Sequence, residues 1–472
     1  MNGGQPDAHA KIPAPRRHEA LIGTRLFTTS SRAFLVLVAG AGIGLGVQLG
    51  TVRLIGAESF GTYAYVIAWT TVLGYISTLG FHVSLLRLLP TYQVDADWPK
   101  AGGVIRFTFV GTAIAGTVVA TAAAGLAFLF YGVGSELGRA LLIGTVIVPF
   151  LALRLVSAAA VRAFGGVIAA MLPERILRDT LAFAFLSLAV VSGIGSPNAI
   201  TAILAALAGA LVMLWVLHRF LSQRRPSELA AAPRLYAPMD WLRPAIPLTV
   251  IMLADTLMSR TGIIVLGTLG EPTEIAIFAV ASSLALLAAL PRMSISALFA
   301  PTVSTLYARG DTGGLQDLIG RSALLSLLGT IAVAGPLIFG APIILAWFGQ
   351  EFIAAKHILI VLVFGQIVAA AAGPQQHLLT MTGHEREGAM LMITAAATNV
   401  IAAILLYFVF GMMGVAVAFS FSLIAWNVGI MWFLKRRLNL RPGLTCVPFL
   451  TRRAASTAAG DLAHPPQEQG QT

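Results

Sequence analysis

The sequence predicts an all-α integral membrane protein in which twelve transmembrane helices form two six-helix lobes. Three observations lead to this fold class: the composition, the number of long apolar runs, and a similarity between the two halves of the chain. Of the 472 residues, 57% are hydrophobic and only 11% are charged, whereas about 25% of the residues of soluble domains are charged. Because a soluble fold would leave much apolar surface in water, we expect a chain that crosses the membrane many times.

Twelve runs are each long enough to cross a bilayer, whose hydrocarbon core of about 30 Å needs roughly 20 mostly apolar residues. The predicted spans are residues 33–54, 62–83, 105–131, 140–161, 179–195, 199–219, 246–268, 274–299, 321–340, 355–377, 388–409 and 412–434. The chain then divides into four segments. They are a disordered cytoplasmic tail at 1–26, an N-terminal lobe at 27–238, a C-terminal lobe at 239–437 and a cytoplasmic tail at 438–472.

Basic residues in the short loops predict the orientation, because cytoplasmic loops carry an excess of Lys and Arg. The loops after even-numbered spans, together with the two tails, hold most of the basic residues, including Arg175 and Arg178. The opposite loops hold little more than Arg53, Arg139 and Lys356. We therefore predict that both termini are cytoplasmic and that the number of spans is even.

The two halves carry similar junctions between their first and second helices. The first half reads LIGAESFGTYAYVIA around Gly56, and the second reads TLGEPTEIAIFAVAS around Gly270. Repeats of this kind are typical of transporters whose substrate site lies between two lobes near the middle of the membrane. Since six spans return the chain to the same side, the lobes are predicted to be related by a pseudo-two-fold axis along the membrane normal.

The seventh span, Pro247 to Gly270, carries Asp255 and Arg260 among apolar residues. A charge at the bilayer centre costs at least about 2.5–3.5 kcal/mol, so such residues face a bundle interior or an aqueous cavity. Five residues of helix separate the two side chains by about 140°, so each is expected to face a different neighbouring helix. Asp255 is either a structural charge paired with an Arg of another helix or a titrating group that couples transport to H⁺ or Na⁺.

The segment from Leu54 to Ala68 is close to the pattern LG-x-x-x-FG-x-Y-A, with Ile55 in place of the Leu of the pattern. That pattern lies at the start of the polysaccharide transporter family of the multidrug/oligosaccharidyl-lipid/polysaccharide exporter superfamily, which this segment and three other stretches resemble. The other three are FAPTVSTLYARGDTGGLQDLIGR from Phe299, PIILAWFGQEF from Pro342 and FGMMGVAVAFSFS from Phe410. With the twelve spans, the resemblance covers about residues 25–437.

The resemblance implies a flippase that moves undecaprenyl-diphosphate-linked oligosaccharide across the bacterial inner membrane for O-antigen or exopolysaccharide export. A diphosphate in a membrane needs cations, and the planar guanidinium of Arg pairs well with phosphate oxygens. The candidate diphosphate contacts are Arg87, Arg260 and Arg292, the last placed after Pro291, where a helix kink is expected. Arg154 is explained by snorkelling towards the cytoplasmic surface.

Two other functions stay open at this point. A cation-coupled multidrug antiporter of the same superfamily would use an acidic coupling residue, for which Asp255 is available. A membrane-embedded polysaccharide polymerase is less favoured, because the predicted outer loops are short. The sequence contains no GxxxxGK[ST] nucleotide-binding loop, no Cys/His cluster with metal-ligand spacing and a single cysteine, Cys446. We therefore expect no enzyme activity, no cofactor and no nucleic-acid partner; membrane lipids are the expected surroundings.

Overall fold

The computed structural model describes residues 17–308, 310–381, 384–438 and 440–446, and all regular secondary structure in these ranges is helical. A π-helical turn covers Pro173–Leu177, and 3-10 turns cover Gln350–Ala355 and Gly443–Cys446. The α-helices are α1 Arg17–Ser77, α2 Phe81–Val94, α3 Trp98–Tyr131, α4 Glu136–Thr145, α5 Ile147–Ala163, α6 Val167–Leu172, α7 Arg178–Val191, α8 Ala199–Arg224, α9 Ser227–Ala231, α10 Pro238–Leu269, α11 Pro272–Leu287, α12 Leu290–Ala308, α13 Thr312–Phe339, α14 Ala341–Ala346, α15 Lys356–Ala372, α16 Gln375–Met381 and α17 Glu385–Arg437. Of the tails predicted at 1–26 and 438–472, residues 1–16 and 447–472 lie outside the described residues, and residues 17–26 form the start of α1.

The protein is a multi-pass membrane protein, but the described helices do not confirm twelve spans. By length and apolar composition, eight helical stretches in the described ranges can cross a membrane, or nine when one bent pair is counted as a span. Two of the eight, Val36–Val94 and Arg386–Arg437, contain 59 and 52 residues. Each is more than twice the roughly 20 residues that one crossing needs. The predicted fifth span is represented by α7, which has only 14 residues.

The two longest helices each contain one glycine with non-helical backbone angles. Gly56 in α1 has φ 79° and ψ 166°, and Gly411 in α17 has φ 56° and ψ −140°. A positive φ is accessible to glycine because it has no Cβ. Past Gly56, Tyr65 contacts Thr268 near the end of α10, whereas Gly80 lies against Ala245 near its start. The part of α1 after Gly56 therefore runs back alongside α10, as the predicted helix junction requires.

The predicted kink beside Arg292 is present. Helices α11 and α12 are separated by Ala288 and Ala289 and are bent by 47°. Pro291 is the second residue of α12, where the missing amide proton costs no helical hydrogen bond. The bend places Arg292 in the first turn of α12, beyond the break in the helical hydrogen bonds.

The hydrophobic core is joined at one end of the bundle and divided at the other. At the end where α1 reaches Gly56 and α10 ends at Leu269, here called the joined end, one core contains residues of both halves of the chain, among them Phe60 and Ala276. At the opposite end, here called the split end, there are two cores. One is formed by the first half and the start of α10, and the other by the second half.

The two similar junctions of the sequence meet at the joined end. A Cβ atom on Gly61 would overlap the carbonyl oxygen of Pro272, and a Cβ on Gly267 would overlap the ring of Tyr65. The Tyr65 hydroxyl and the Thr268 Oγ1 are 3.2 Å apart. Backbone therefore approaches backbone here, which closes this end of the bundle.

Two predicted loops are helical in the structure. Arg175 and Arg178, counted above as loop residues, lie in the π-turn and in α7. The stretch from Val167 to Val191 passes from α6 through this turn into α7 with helical dihedrals at its junctions, so it contains no exposed loop. Arg87 lies in the middle of α2, past the break at Thr78 to Gly80, and not at the end of a span.

Candidate functional site

Arg260 of α10 faces a group of charged side chains from the first half of the chain. It lies within electrostatic range of Arg178, Asp179 and Tyr75. Asp179 is in turn within range of Arg154, and Arg154 of Glu174. We call Arg154, Glu174, Arg178, Asp179 and Arg260 the charged cluster. It joins α5, the π-turn, α7 and α10.

Two ion pairs lie inside the charged cluster. Arg178 donates from Nε and Nη2 to the two carboxylate oxygens of Asp179 at 2.6 and 2.8 Å. Nη1 of Arg154 lies 3.6 Å from Oε1 of Glu174, and Arg154 is only 5% exposed. Arg154 was expected to snorkel towards the cytoplasmic surface. Its side chain instead turns inward, where it is buried and pairs with Glu174. The three arginines outnumber the two carboxylates, so the cluster carries one net positive charge.

Close helix packing holds this cluster against α1. A Cβ on Gly40 would lie 2.9 Å from the carbonyl oxygen of Arg175, and a Cβ on Gly44 would lie 3.9 Å from Oδ2 of Asp179. The two glycines are four residues apart and therefore lie on one face of the helix. Small residues on such a face allow the charged turn to approach the α1 backbone, as is common in membrane helix packing.

Neither Arg260 nor Arg292 forms an ion pair with another described residue. In the described ranges, no carboxylate lies within 4.0 Å of either guanidinium. The Nε of Arg292 is buried and makes no hydrogen bond. Both side chains are partly exposed within the bundle. The second half of the chain thus supplies two cations that no carboxylate of the described residues pairs with directly.

Asp255 lies on a different face of α10 from Arg260. It is exposed, and no cation of the described chain lies within 4.0 Å of it. Asp255 follows Ile251 by one helical turn and so continues the face on which Ile251 lies. The structural pairing with an Arg of another helix, one of the two predicted alternatives, is therefore not found among these residues.

Arg87 lies away from the charged cluster. It lines a cavity of about 670 Å³ between α2, α10 and α17, together with Arg386 and Ile251. Neither arginine forms an ion pair within the part of the chain that the structure describes. The predicted trio of Arg87, Arg260 and Arg292 is therefore not one group of adjacent side chains.

The sequence reasoning missed Glu174, Arg178 and Asp179. The run PERILRDT was assigned to a cytoplasmic loop because its charges precede an apolar segment. One signal was available: Pro173 followed by an acidic residue is typical of the first turn of a helix. The small-residue spacing of Gly40 and Gly44 was a second signal that α1 closely approaches another segment.

Comparison with known proteins gives the fold. No protein-family model and no curated protein sequence matches the chain, but solved structures do. An inward-facing multidrug resistance MATE family transporter of the MOP superfamily is similar with a TM-score of 0.66 and 17% identity over 84% of this chain and 94% of that one. The lipid II flippase MurJ, in an inward closed conformation, is similar with a TM-score of 0.65 and 16% identity over 86% and 87%. The MATE multidrug transporter DinF-BH is similar with a TM-score of 0.65 and 17% identity over 90% and 98%.

This chain has the MATE/MurJ fold. The similarity covers most of both chains in each comparison, so it concerns the whole bundle and not a shared hairpin. At these identities it assigns no substrate, because proteins of one fold carry different functions in different sites. The substrate must be argued from the charges of this chain.

Proposed function

We propose that the protein is a flippase that moves undecaprenyl-diphosphate-linked oligosaccharide across the bacterial inner membrane for O-antigen or exopolysaccharide export. The observation that supports this proposal most directly is that Arg260 and Arg292 lack acidic partners in the described chain. A drug-sized cation would be repelled by such groups, whereas a diphosphate would neutralise them. The resemblance of four sequence stretches to polysaccharide transporters and the MurJ-like fold agree with it.

The chemistry of the two arginines suits a diphosphate. A guanidinium stays charged in a membrane and can donate two parallel hydrogen bonds to a phosphate group. Hydrogen bonds to charged groups contribute about 1.5–3 kcal/mol each. The first-half members of the charged cluster balance one another, Arg154 with Glu174 and Arg178 with Asp179, so the net positive charge of the cluster is that of Arg260. An anionic headgroup between the two halves would be attracted mainly to Arg260 and Arg292.

The division of the core supplies a route for alternating access. The halves share a core at the joined end and have separate cores at the split end. In the proposal, the split end faces the cytoplasm, both termini are cytoplasmic, and twelve spans form two lobes related by a pseudo-two-fold axis. Substrate reaches the arginines from the split end, and the joined end then opens towards the outside.

The test is a flipping assay in proteoliposomes with a fluorescent undecaprenyl-diphosphate-linked sugar. We expect Arg260→Gln and Arg292→Gln each to lower the initial rate by about 10-fold or more, from the loss of one charged hydrogen bond. The matched control is Arg219→Gln, which removes an exposed arginine on α8. An Arg260→Gln, Arg292→Gln double variant that flips the lipid at the control rate would contradict the proposal.

A cation-coupled multidrug antiporter is the second candidate, and Asp255 favours it. An exposed carboxylate without a cation partner can bind H⁺ or Na⁺ and release it in a second conformation. Asp255→Asn keeps the shape of the side chain but cannot titrate. Under this candidate, Asp255→Asn abolishes efflux of a cationic dye while protein abundance stays normal, and the two Arg variants still export the dye. Dye efflux absent from the unmodified protein would exclude the antiporter.

A further inference from the structure

The cavity between α2, α10 and α17 has charge at one end and apolar walls at the other. The register of the helices establishes this order. Trp241 donates to the hydroxyl of Tyr92, and Gly80 lies against Ala245, so α2 runs antiparallel to the start of α10. Asn399 donates to the carbonyl of Met258, so α17 rises alongside α10.

This register places Arg87 and Arg386 beside Pro244, at the split end, and Ile251 and Ile393 one to two turns deeper. Leu248 lies between the two levels on the same face of α10. The deeper part of the cavity is lined by the aliphatic side chains of Leu248, Ile251 and Ile393. The cavity is therefore amphipathic along the axis of α10.

The two arginines come from different halves of the chain, and neither forms an ion pair with a described residue. Arg87 belongs to α2, and Arg386 lies at the start of α17. Both are exposed, and neither is within 4.0 Å of a carboxylate of the described residues. Asp255 is the next acidic residue on this face of α10, one turn beyond Ile251. The two arginines at the mouth of the cavity therefore favour an anionic group there, whereas the aliphatic side chains at its deeper end disfavour a charged group.

We propose that this cavity binds an anionic glycerophospholipid of the leaflet at the split end, with its phosphate between Arg87 and Arg386 and an acyl chain against Leu248, Ile251 and Ile393. Arginine pairs with phosphate oxygens through its two parallel donors. Basic residues at a membrane surface attract anionic lipids. A phosphate ion alone would leave the aliphatic wall unused, and a zwitterionic lipid such as phosphatidylcholine would bring its ammonium group towards the two arginines together with its phosphate.

The size of the cavity distinguishes this lipid from a glycan-carrying one. About 670 Å³ is within the range of sites that enclose a drug-sized molecule. It accommodates a headgroup and the upper part of an acyl chain but not an oligosaccharide. The bound phosphate would connect the first half to the second at the end where their cores are separate. The inference goes beyond the proposed function, because it holds whether the transported molecule is a lipid-linked sugar or a drug.

The test measures lipid binding to the purified full-length protein by native mass spectrometry, with dioleoyl-phosphatidylglycerol and dioleoyl-phosphatidylcholine as probes. We expect one phosphatidylglycerol site at least 10-fold tighter than any phosphatidylcholine site. In Arg87→Gln, Arg386→Gln this preference is lost. The control Arg243→Gln, Arg437→Gln removes two exposed arginines outside the cavity and keeps the preference, at the same net charge.

Two further measurements identify the part of the lipid that is bound. Ile251→Asn, Ile393→Asn leaves the arginines in place and is expected to weaken phosphatidylglycerol several-fold. Millimolar inorganic phosphate is expected not to displace the lipid. Equal binding of both lipids by the unmodified protein would by itself overturn the proposal, before any variant is measured. Complete displacement by phosphate, or unchanged binding in Ile251→Asn, Ile393→Asn, identifies a simple anion site and overturns it as well.

Discussion

The contact between Gly61 and Pro272 predicts how a single methyl group shifts the conformational equilibrium. Gly61→Ala adds a Cβ that overlaps the Pro272 carbonyl oxygen, and neither backbone is the free end of a flexible side chain. Nonbonded carbon atoms prefer separations of about 3.5–4.0 Å, so the two junctions must move apart by about 1 Å or more. Overpacking of this kind costs about 1–3 kcal/mol. The cost applies only in the state in which the joined end is closed.

A cost of about 1–3 kcal/mol corresponds to a shift of about 5- to 150-fold in the ratio of closed to open joined ends, since 1.4 kcal/mol is tenfold. Ala276 is a suitable reporter, because it lies in the joined core and is fully buried. In a Cys446→Ser background, which removes the single native cysteine, Ala276→Cys reacts with a membrane-impermeant maleimide only when this end opens. We expect Gly61→Ala to raise the labelling rate by about 5-fold or more.

The matched control is Gly46→Ala, because Gly46 lies in the same helix and has no atom near its added Cβ. Gly267→Ala is an intermediate case, since the ring of Tyr65 can move aside. The expected order of labelling rates is Gly61→Ala above Gly267→Ala above Gly46→Ala. Equal rates for Gly61→Ala and Gly46→Ala, at equal protein abundance, would refute the view that this junction closes the joined end.

Three other predictions concern stability. Glu174→Gln leaves Arg154 buried without its ion-pair partner, which costs about 3 kcal/mol for a broken buried pair; the thermal midpoint should fall and should recover in part when Arg154→Met is added. Gln316→Ala removes two hydrogen bonds to the backbone of Arg441, so the backbone amide of Arg441 should exchange its hydrogen with deuterated solvent faster than in the control Gln93→Ala. The side-chain hydrogen bond from Lys100 holds the pKa of Asp97 below its usual range. The ionised carboxylate therefore stabilises the start of α3 above about pH 4. The difference in thermal midpoint between the unmodified protein and Asp97→Asn should vanish as the pH falls through the lowered pKa.

The apolar runs of the sequence were sufficient to place two of the helix junctions. The predicted boundaries at residues 54–62 and 409–412 contain Gly56 and Gly411, where the structure has non-helical backbone angles. The bend beside Arg292 followed from Pro291. These features depend on local chemistry: a proline or a glycine decides them within a few residues. They do not confirm twelve spans, because length and composition alone count eight or nine.

The charged cluster could not be predicted in the same way, because it depends on contacts between distant segments. Composition assigns the run from Pro173 to Asp179 to a loop, and only packing against Gly40 and Gly44 brings it against α1. The 140° separation of Asp255 and Arg260 did indicate that they face different neighbours. Which neighbours they face is decided by the position of α10 between the first half and α17.

Opening the joined end must expose apolar side chains, so burial at the split end has to compensate for it. The first half contributes Val52, Ile55 and Phe60, among others, to the joined core, and exposing each such side chain fully would cost about 1.5–3 kcal/mol. Val250 of α10 is 44% exposed and lines the cavity beside α2, so closure of the split end would bury it. Replacing it with serine reduces that gain.

Val250→Ser should therefore act in the opposite direction to Gly61→Ala. The lost burial of about 1 kcal/mol, for one to two methyl groups, disfavours the state in which the joined end is open. Added to Gly61→Ala, Val250→Ser should lower the Ala276→Cys labelling rate by about 5-fold. The control is Leu129→Ser, which removes an exposed side chain of α3 outside the cavity. If Val250→Ser raised the labelling rate, or changed it no more than Leu129→Ser does, opening of the joined end would not be coupled to burial of apolar surface at the split end. The two halves would then move in a way that does not bury Val250.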